Sequence, residues 1–315
     1  MNPSVSVIIA VRNGASTIKS CLDSALALQY TPYDIIVVDD GSTDATGQIL
    51  NGYGSRITVI NHEQSRGPSA ARNEAAGLSH SEFVAFTDGD CIVASDWLDQ
   101  LRAGFIDPQV VSCGGSQRLP ADATPFEHSV FSLMQRVGFM TEYVKAAQQG
   151  GIRFVGHNPS CTVMYRREVF LSSGGFLESL WPGEDVELDR RLTLQGHRHA
   201  FNPGAVVDHY RPRDLKAFWA MMKRYGCAQG YLARKFGFFR RVQYVPGILL
   251  GIFFLYLWVL LIAPLLSAGA ALLFLAVGFA YFRGWRVFFL AVTGISEWCE
   301  GFLIGFCFPH KALRA

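Results

Sequence analysis

The sequence lacks closely spaced cysteine pairs and has no concentration of basic residues in a folded region. Its seven cysteines are scattered and form no Cys-x-x-Cys pair, which argues against a structural zinc knuckle. An odd cysteine count without a regular framework is typical of a reducing compartment, and we interpret these residues as small core side chains. The net charge is only +2 over 315 residues, which argues against a nucleic-acid partner.

Charge is also missing from one long segment near the C-terminus. The 41 residues from Val242 to Phe282 contain no Asp, Glu, Lys or Arg. One helix of that length would extend about 60 Å, whereas the apolar core of a bilayer is about 30 Å thick. The segment therefore predicts a membrane hairpin over about residues 245–282, broken near residues 263–264 or 267–269. A buried soluble hairpin is the alternative.

Further apolar sequence follows the predicted hairpin. The stretch at about 287–309 contains Glu297 and Glu300, which share a helix face at this spacing. It is either a third span with a polar face or a segment lying in the membrane interface. Arginines and lysines bracket the hairpin, so both flanks are expected in the cytoplasm. Residues 231–315 are thus predicted to form a multi-pass membrane region behind a cytoplasmic domain of residues 1–230.

The first 230 residues alternate short apolar strands with helical patterns. Strands are predicted at 5–11, 35–39, 57–60 and 82–87, with helical stretches between them. Fully apolar strands in this alternation predict an α/β domain, with a mostly parallel sheet covered by helices on both faces. Ligands of such sheets bind beyond the carboxyl ends of the strands. Functional side chains are therefore expected at those ends.

Polar residues do follow three of the predicted strands, as RNG at 12–14, DDGS at 39–42 and DGD at 88–90. Clustered carboxylates repel one another unless a cation or hydrogen-bond donors compensate them. Two aspartates separated by one glycine, Asp88 and Asp90, suit a divalent cation such as Mg²⁺ or Mn²⁺, which usually bridges to phosphates. Arg66 or Arg72, near the start of a helix, could meet the other side of an anionic ligand. The pattern predicts a metal–nucleotide site.

The ordered segments that carry these residues resemble the motifs of family 2 glycosyltransferases, which have the GT-A fold, a Rossmann-like α/β architecture. They are VSVIIAVRNG, VVDDGSTDAT, RGPSAARNEA, FTDGDC and WPGEDVELDRRL. The resemblance covers about residues 4–230 and implies a nucleotide-diphosphate sugar as donor. The C-terminal region is similar to that of membrane-attached bacterial members that build surface polysaccharide, such as the succinoglycan branch. This implies a place in the cell inner membrane.

The resemblance also implies roles for single residues of the donor half. Asp40, with Asp39, would hold the nucleobase and ribose, and Arg72 would contact the base or a neighbouring carboxylate. Asp88 would lie near the ribose, and Asp90 would bind the metal on the diphosphate. The implied nucleotide-sugar-binding residues are Ala10, Asn13, Asp39, Asp40, Arg72 and Asp88. Many relatives have proline where Ala10 stands.

In the acceptor half, the resemblance makes Asp185 the general base that removes the proton of an acceptor hydroxyl. Glu184 would orient the acceptor, and Asn158 matches a segment of the pocket floor. Trp181 could stack on a sugar or belong to the core. His209 is either a further metal ligand or a structural histidine.

Three functions remain open from the sequence. The first is an inverting, metal-dependent transfer of one sugar to a hydroxyl of a lipid-linked saccharide. The second is transfer to polyprenyl phosphate, whose anionic oxygen needs no base, so the pair Glu184 and Asp185 argues against it. The third is a catalytically dead nucleotide-binding scaffold, against which the intact acids at 88, 90 and 185 argue.

Overall fold

A computed structural model describes residues 2–137 and 150–312. Its contacts divide the chain into two units, residues 2–123 with 150–210, and residues 124–137 with 211–312. The predicted boundary after residue 230 falls inside a helix of the second unit. Residues 138–149 and 313–315, which belong to the two predicted domains, lie outside the described residues.

Strands and helices alternate through most of the first unit. The strands are β1 Val5–Val11, β2 Tyr33–Asp39, β3 Thr58–Asn61, β4 Phe83–Asp88, β5 Cys91–Val93, β6 Val110–Arg118, β7 Arg153–Val155, β8 Thr162–Arg166 and β9 Arg198–His209. The helices of the described residues, in both units, are α1 Ile18–Leu26, α2 Thr46–Asn51, α3 Pro68–Leu78, α4 Trp97–Ala103, α5 Pro125–Val137, α6 Arg167–Ser172, α7 Glu184–Leu194, α8 Leu215–Phe236, α9 Val245–Ile262, α10 Pro264–Phe282, α11 Trp285–Cys307 and α12 Pro309–Ala312.

The strands form one mixed sheet in the order β3-β2-β1-β4-β8-β6-β9-β5, and β7 pairs with β9. Strands β1 to β4 are parallel, as predicted, and β6 and β9 are also parallel. Strands β5, β7 and β8 run antiparallel to their neighbours, which makes the sheet mixed. In the register, Val11 lies opposite Asp39 and Ala10 opposite Asp88. The acidic ends of β2 and β4 therefore flank the end of β1.

Both faces of the sheet are buried, as the apolar strands predicted. Successive side chains of a strand point to opposite faces, and in β1 Val7 and Ile9 pack with α1 and α4, while Ile8 packs with α3, α6 and α7. All three are fully buried. Truncating a buried isoleucine to alanine typically costs about 2–5 kcal/mol, so this central strand fixes the position of the rim at its carboxyl end.

The second unit consists of helices in its described part. Helices α9 and α10 meet at Ala263 and Pro264, which is one of the two predicted break points. Proline is favoured at a helix start because its missing N–H has no partner there in any case. Three helices are long and apolar enough to cross a membrane, at Arg241–Ile262, Leu265–Phe282 and Trp285–Cys307. Two successive apolar helices occupy the segment predicted as a hairpin, and the third apolar stretch is a single helix.

Glycines determine how α8 packs against α11. A Cβ atom added at Gly226 would lie only 1.9 Å from the carbonyl oxygen of Trp298, and Gly230 is similarly crowded by α11. Small residues four apart allow two helix backbones to approach closely. Gly247 and Gly251 of α9 have the same spacing, but a Cβ at either would meet no atom of the described residues within 4 Å. The close helix contact is therefore between α8 and α11.

Candidate active site

The buried carboxylate of Asp40 orders the loop that leads into α3. It accepts hydrogen bonds from Ser65 Oγ at 2.6 Å, His62 Nδ1 at 2.7 Å, Arg66 N at 2.8 Å and Gly67 N at 2.9 Å. Burial by itself raises the pKa of Asp40, but these donors outweigh it and hold the pKa below its ordinary value. Asp40 is thus an ionised anchor of the loop, whereas the resemblance implied direct contact with the nucleobase.

The loops after β1 and β2 are tied together at the same edge. Asp39 Oδ1 accepts a hydrogen bond from Ser42 N at 2.9 Å, and the hydroxyl of Ser42 accepts one from Asn13 N at 2.9 Å. Asn13 has a φ of 52°, which asparagine tolerates better than most residues, and its Oδ1 accepts a bond from Thr43 N at 2.8 Å. Ala10 is half-buried beside them. The predicted residues of β1 and β2 therefore share one rim.

Arg72 connects the end of β4 to the start of helix α7. Its guanidinium is buried within α3 and donates to Asp88 Oδ1 at 2.5 Å and to Glu184 Oε1 at 2.9 Å. Burying a cation is costly unless it is paired. Burial lowers the pKa of Arg72, but the two carboxylates more than offset this, so the pKa is raised. The implied contact of Arg72 with a neighbouring carboxylate is thus present.

Helix α7 starts with the two acids that were expected to serve the acceptor. Glu184 is buried and accepts a hydrogen bond from Ser160 Oγ at 2.9 Å. Asp185 is half-buried and accepts bonds from Val186 N at 2.7 Å and Ser160 N at 3.2 Å. Burial, and then the charge of Glu184, raise the pKa of Asp185 to about 7. A carboxylate that titrates near neutral pH is suited to general base catalysis.

The remaining two acceptor residues differ in exposure. Asn158 is fully buried, and its backbone N–H donates to Asp189 Oδ2 at 2.8 Å. Like Glu184, Asn158 lies beneath the surface, and the acceptor role expected of both stays a prediction. Trp181 exposes 36% of its surface just before α7. The indole is therefore accessible, and its stacking on a sugar stays a prediction.

Asp88, Asp90 and His209 come together at the ends of β4, β5 and β9. One potential ligand atom from each lies within 4.8 Å of the others, because β5 and β9 pair with Cys91 opposite His209. His209 Nε2 is 3.4 Å from Asp90 Oδ1. Two carboxylates and an imidazole suit a hard or borderline divalent cation such as Mn²⁺. The structure thus groups Asp88 and Asp90, whose spacing suited a divalent cation, with His209.

Two residues of the site were not predicted. Ser160 contacts both acids of α7, and His62 bridges Asp40 and Glu74, with Nε2 3.1 Å from Glu74 Oε2. Both lie in loops, and their partners are distant in sequence. In the run GHNPSCT only the asparagine was predicted to be functional, because no periodic pattern marks a serine in a loop.

The sequence is similar to known proteins of one family. The family described as Glycosyl transferase family 2 matches residues 6–172. The pre-mycofactocin glycosyltransferase of Mycobacterium tuberculosis is 32% identical over 237 residues, which cover 73% of this chain and 47% of that protein. The chain therefore spans about half the length of that relative. The succinoglycan biosynthesis protein ExoU of Rhizobium meliloti is 31% identical over 68% of this chain and 67% of ExoU.

The fold is also found among solved structures. A mannosyltransferase of Pyrobaculum calidifontis, determined in complex with GDP-Man and Mn²⁺, superposes with a TM-score of 0.72. The match covers 98% of this chain and 88% of that protein, at 18% sequence identity. The likeness establishes the architecture.

Proposed function

The chain belongs to glycosyl transferase family 2, and on that premise we propose that it is an inverting, metal-dependent enzyme of surface polysaccharide biosynthesis. It moves one sugar from a nucleotide-diphosphate donor to a hydroxyl group of a lipid-linked saccharide. A relative named as a succinoglycan biosynthesis protein and another named as an O-antigen chain rhamnosyltransferase support the pathway class.

One observation carries the proposal, namely the chain of contacts that joins the acidic cluster to Asp185. Asp88 belongs both to the cluster with Asp90 and His209 and to the ion pair with Arg72. Arg72 in turn contacts Glu184, the residue next to Asp185. A group able to hold a charged donor and a group able to accept a proton are therefore parts of one connected network.

Asp185 acts as the general base in this proposal. Its two backbone hydrogen bonds fix the carboxylate, and its pKa of about 7 leaves a large ionised fraction at neutral pH. It takes the proton of the acceptor hydroxyl as that oxygen attacks the anomeric carbon, opposite the departing nucleotide. A single displacement of this kind inverts the anomeric centre. Glu184 and Ser160 hold Asp185 in place.

A divalent cation fits the donor set of Asp88, Asp90 and His209. These side chains offer oxygen and nitrogen ligands at one rim, and Asp90 is substantially exposed. When bound, Mg²⁺ or Mn²⁺ would offset the negative charge of the leaving diphosphate. The related mannosyltransferase structure, which contains GDP-Man and Mn²⁺, supports this choice of ligands.

The apolar helices suggest where the reaction takes place. Three helices are long and apolar enough to cross a membrane, and basic residues flank the hairpin. By the positive-inside rule we place the catalytic unit on the cytoplasmic side of the inner membrane. Anchoring raises the effective concentration of a lipid-linked acceptor at the enzyme.

The function is tested with the full-length protein in detergent. Nucleotide sugars are screened one by one with extracted lipid acceptors and Mn²⁺, and the products are analysed by mass spectrometry. We expect one donor to give a lipid heavier by a single sugar, with inverted anomeric configuration by NMR. A product with retained configuration, or transfer only to polyprenyl phosphate, would contradict the proposal.

The cation site is tested separately by nucleotide binding. In Asp90→Ala, the affinity for the nucleotide diphosphate should no longer respond to Mn²⁺, because one of the carboxylate ligands is missing. Asp99→Ala removes an exposed carboxylate from α4 and is the matched control. If Asp90→Ala keeps the full response to Mn²⁺, the assignment of the site is wrong.

A further inference from the structure

Two buried thiols lie against the same histidine as the acidic cluster. Cys91 Sγ, Cys161 Sγ and one ring nitrogen of His209 all lie within 4.8 Å of one another. Cys91 follows Asp90 directly in sequence, and it pairs with His209 across β5 and β9. Both thiols are reduced in the structure and buried, Cys91 completely.

From this juxtaposition we infer that Cys91, Cys161 and His209 form a second cation site, specific for thiophilic ions such as Zn²⁺. Two thiolates and an imidazole are the ligands that Zn²⁺ favours, whereas the carboxylates nearby favour Mg²⁺ or Mn²⁺. Each thiol releases its proton to solvent as its sulfur binds the ion. Three protein ligands leave a fourth position for water or a carboxylate.

The spacing of the ligand atoms suits this ion. A tetrahedral Zn²⁺ with Zn–S bonds of about 2.3 Å keeps its ligand atoms about 3.8 Å apart. The upper limit of 4.8 Å in the structure therefore requires a contraction of no more than about 1.0 Å between the two sulfurs and about 1.3 Å between sulfur and nitrogen. Access is from the side of Asp90, which exposes 46% of its side chain.

Occupation of this site has a consequence for the neighbouring one, because His209 belongs to both ligand sets. A bound Zn²⁺ takes the imidazole away from Asp88 and Asp90 and so weakens their hold on Mn²⁺. Zn²⁺ is then an inhibitory ion that competes with the activating one. This competition rests on the function proposed above, whereas the binding of a thiophilic ion does not.

The site is tested first on the wild-type, full-length protein loaded with one equivalent of Zn²⁺. X-ray absorption at the zinc edge should show two sulfur neighbours at about 2.3 Å. A shell containing only oxygen and nitrogen would overturn the inference. This measurement requires neither a variant nor catalytic activity, so it is independent of whether the transferase assignment is correct.

Variants then locate the sulfur ligands. With Cd²⁺ as the probe, the ultraviolet thiolate-to-metal absorption should be strong in the wild type and be lost in Cys91→Ala and in Cys161→Ala. Cys113→Ala is the matched control, because Cys113 is equally buried in the sheet but lies outside the cluster. Absorption that survives in the double variant, or that falls equally in the control, would refute the assignment.

The competition is measured by electron paramagnetic resonance of free Mn²⁺. One equivalent of Zn²⁺ should raise the Mn²⁺ concentration needed for half-saturation in the wild type, but not in the variant lacking both thiols. An unchanged Mn²⁺ affinity in the zinc-loaded wild type would show that the two sites do not share His209.

Discussion

Replacing Asp185 by asparagine separates proton transfer from donor binding. Asparagine has nearly the same shape, and its oxygen can still accept one of the two backbone hydrogen bonds that fix Asp185. The amide cannot take up a proton from an alcohol. Because the change leaves Asp88, Asp90 and Arg72 in place, we expect nucleotide affinity and its response to Mn²⁺ to remain unchanged.

The magnitude of the effect follows from the role of a general base. Such a group typically contributes about 10²–10⁴-fold to the rate, or about 2.7–5.4 kcal/mol of activation free energy. Only the ionised form is active, and with a pKa of about 7 kcat/KM of the wild type should fall to about one-tenth at pH 6. In Asp185→Asn the rate should be low and independent of pH in that range.

The same carboxylate makes a separate prediction for stability. The pKa of Asp185 is raised in the fold from an ordinary value of 3.8 to about 7. Its stabilising contribution is therefore complete below about pH 4 and is lost as the pH rises to about 7. At pH 8 Asp185→Asn should melt at a higher temperature than the wild type, and the two melting temperatures should converge towards pH 4.

Steady-state kinetics over about pH 5.5–8.5 and thermal melts over about pH 4–8.5 are the required measurements. Glu168→Gln, which removes an exposed carboxylate in the first turn of α6, is the control for loss of one charge. If Asp185→Asn keeps more than one-tenth of the wild-type turnover, Asp185 is not the base. If the variant keeps the acid limb of the profile, another group is the one that titrates.

Three further predictions concern the surroundings of the site and the membrane helices. Asp40→Asn should lower the free energy of unfolding by about 2–4 kcal/mol in urea titrations, because buried donors lose a charged acceptor. The pKa of Asp40 is lowered in the fold, so the difference between the wild type and the variant should persist at neutral pH and disappear only in acid. Ser160→Ala removes the hydroxyl that donates to Glu184 and should lower kcat several-fold with little change in the KM for the donor. An unchanged kcat would show that Ser160 does not position the acids of α7. Gly226→Ala should lower the melting temperature in detergent, because the new Cβ would meet the backbone of α11, and Gly247→Ala should not.

The sequence predicted the local parts of this molecule well. Strand β1 has the predicted bounds, because an apolar run acts over a few residues. The break at Ala263 is one of the two places that turn-prone residues of the uncharged segment indicated. The antiparallel placement of β8 did not follow, since pairing between β4 and β8 depends on contacts across nearly 80 residues.

The sequence identified several residues of the site but not the contacts between them. Arg72, Glu184 and Asp185 were predicted from motifs, but the ion pair between Arg72 and Glu184 joins residues that are 112 positions apart. Burial also changed what some of these residues can do. Glu184 is buried and bonded to Arg72 and Ser160, and a motif does not reveal such burial.

The cysteines illustrate the same limit. Interpreting them as small core residues is correct for Cys21, Cys91, Cys113 and Cys161, which are all buried. A rule based on short spacings excludes only metal sites whose ligands are neighbours in sequence. Cys91 and Cys161 are brought together with His209 by the pairing of distant strands, so their grouping depends on the fold. Burial explains why small, weakly polar side chains occupy these positions. The proposed metal binding depends on the nearby imidazole of His209, which the spacing of the cysteines in the sequence does not indicate.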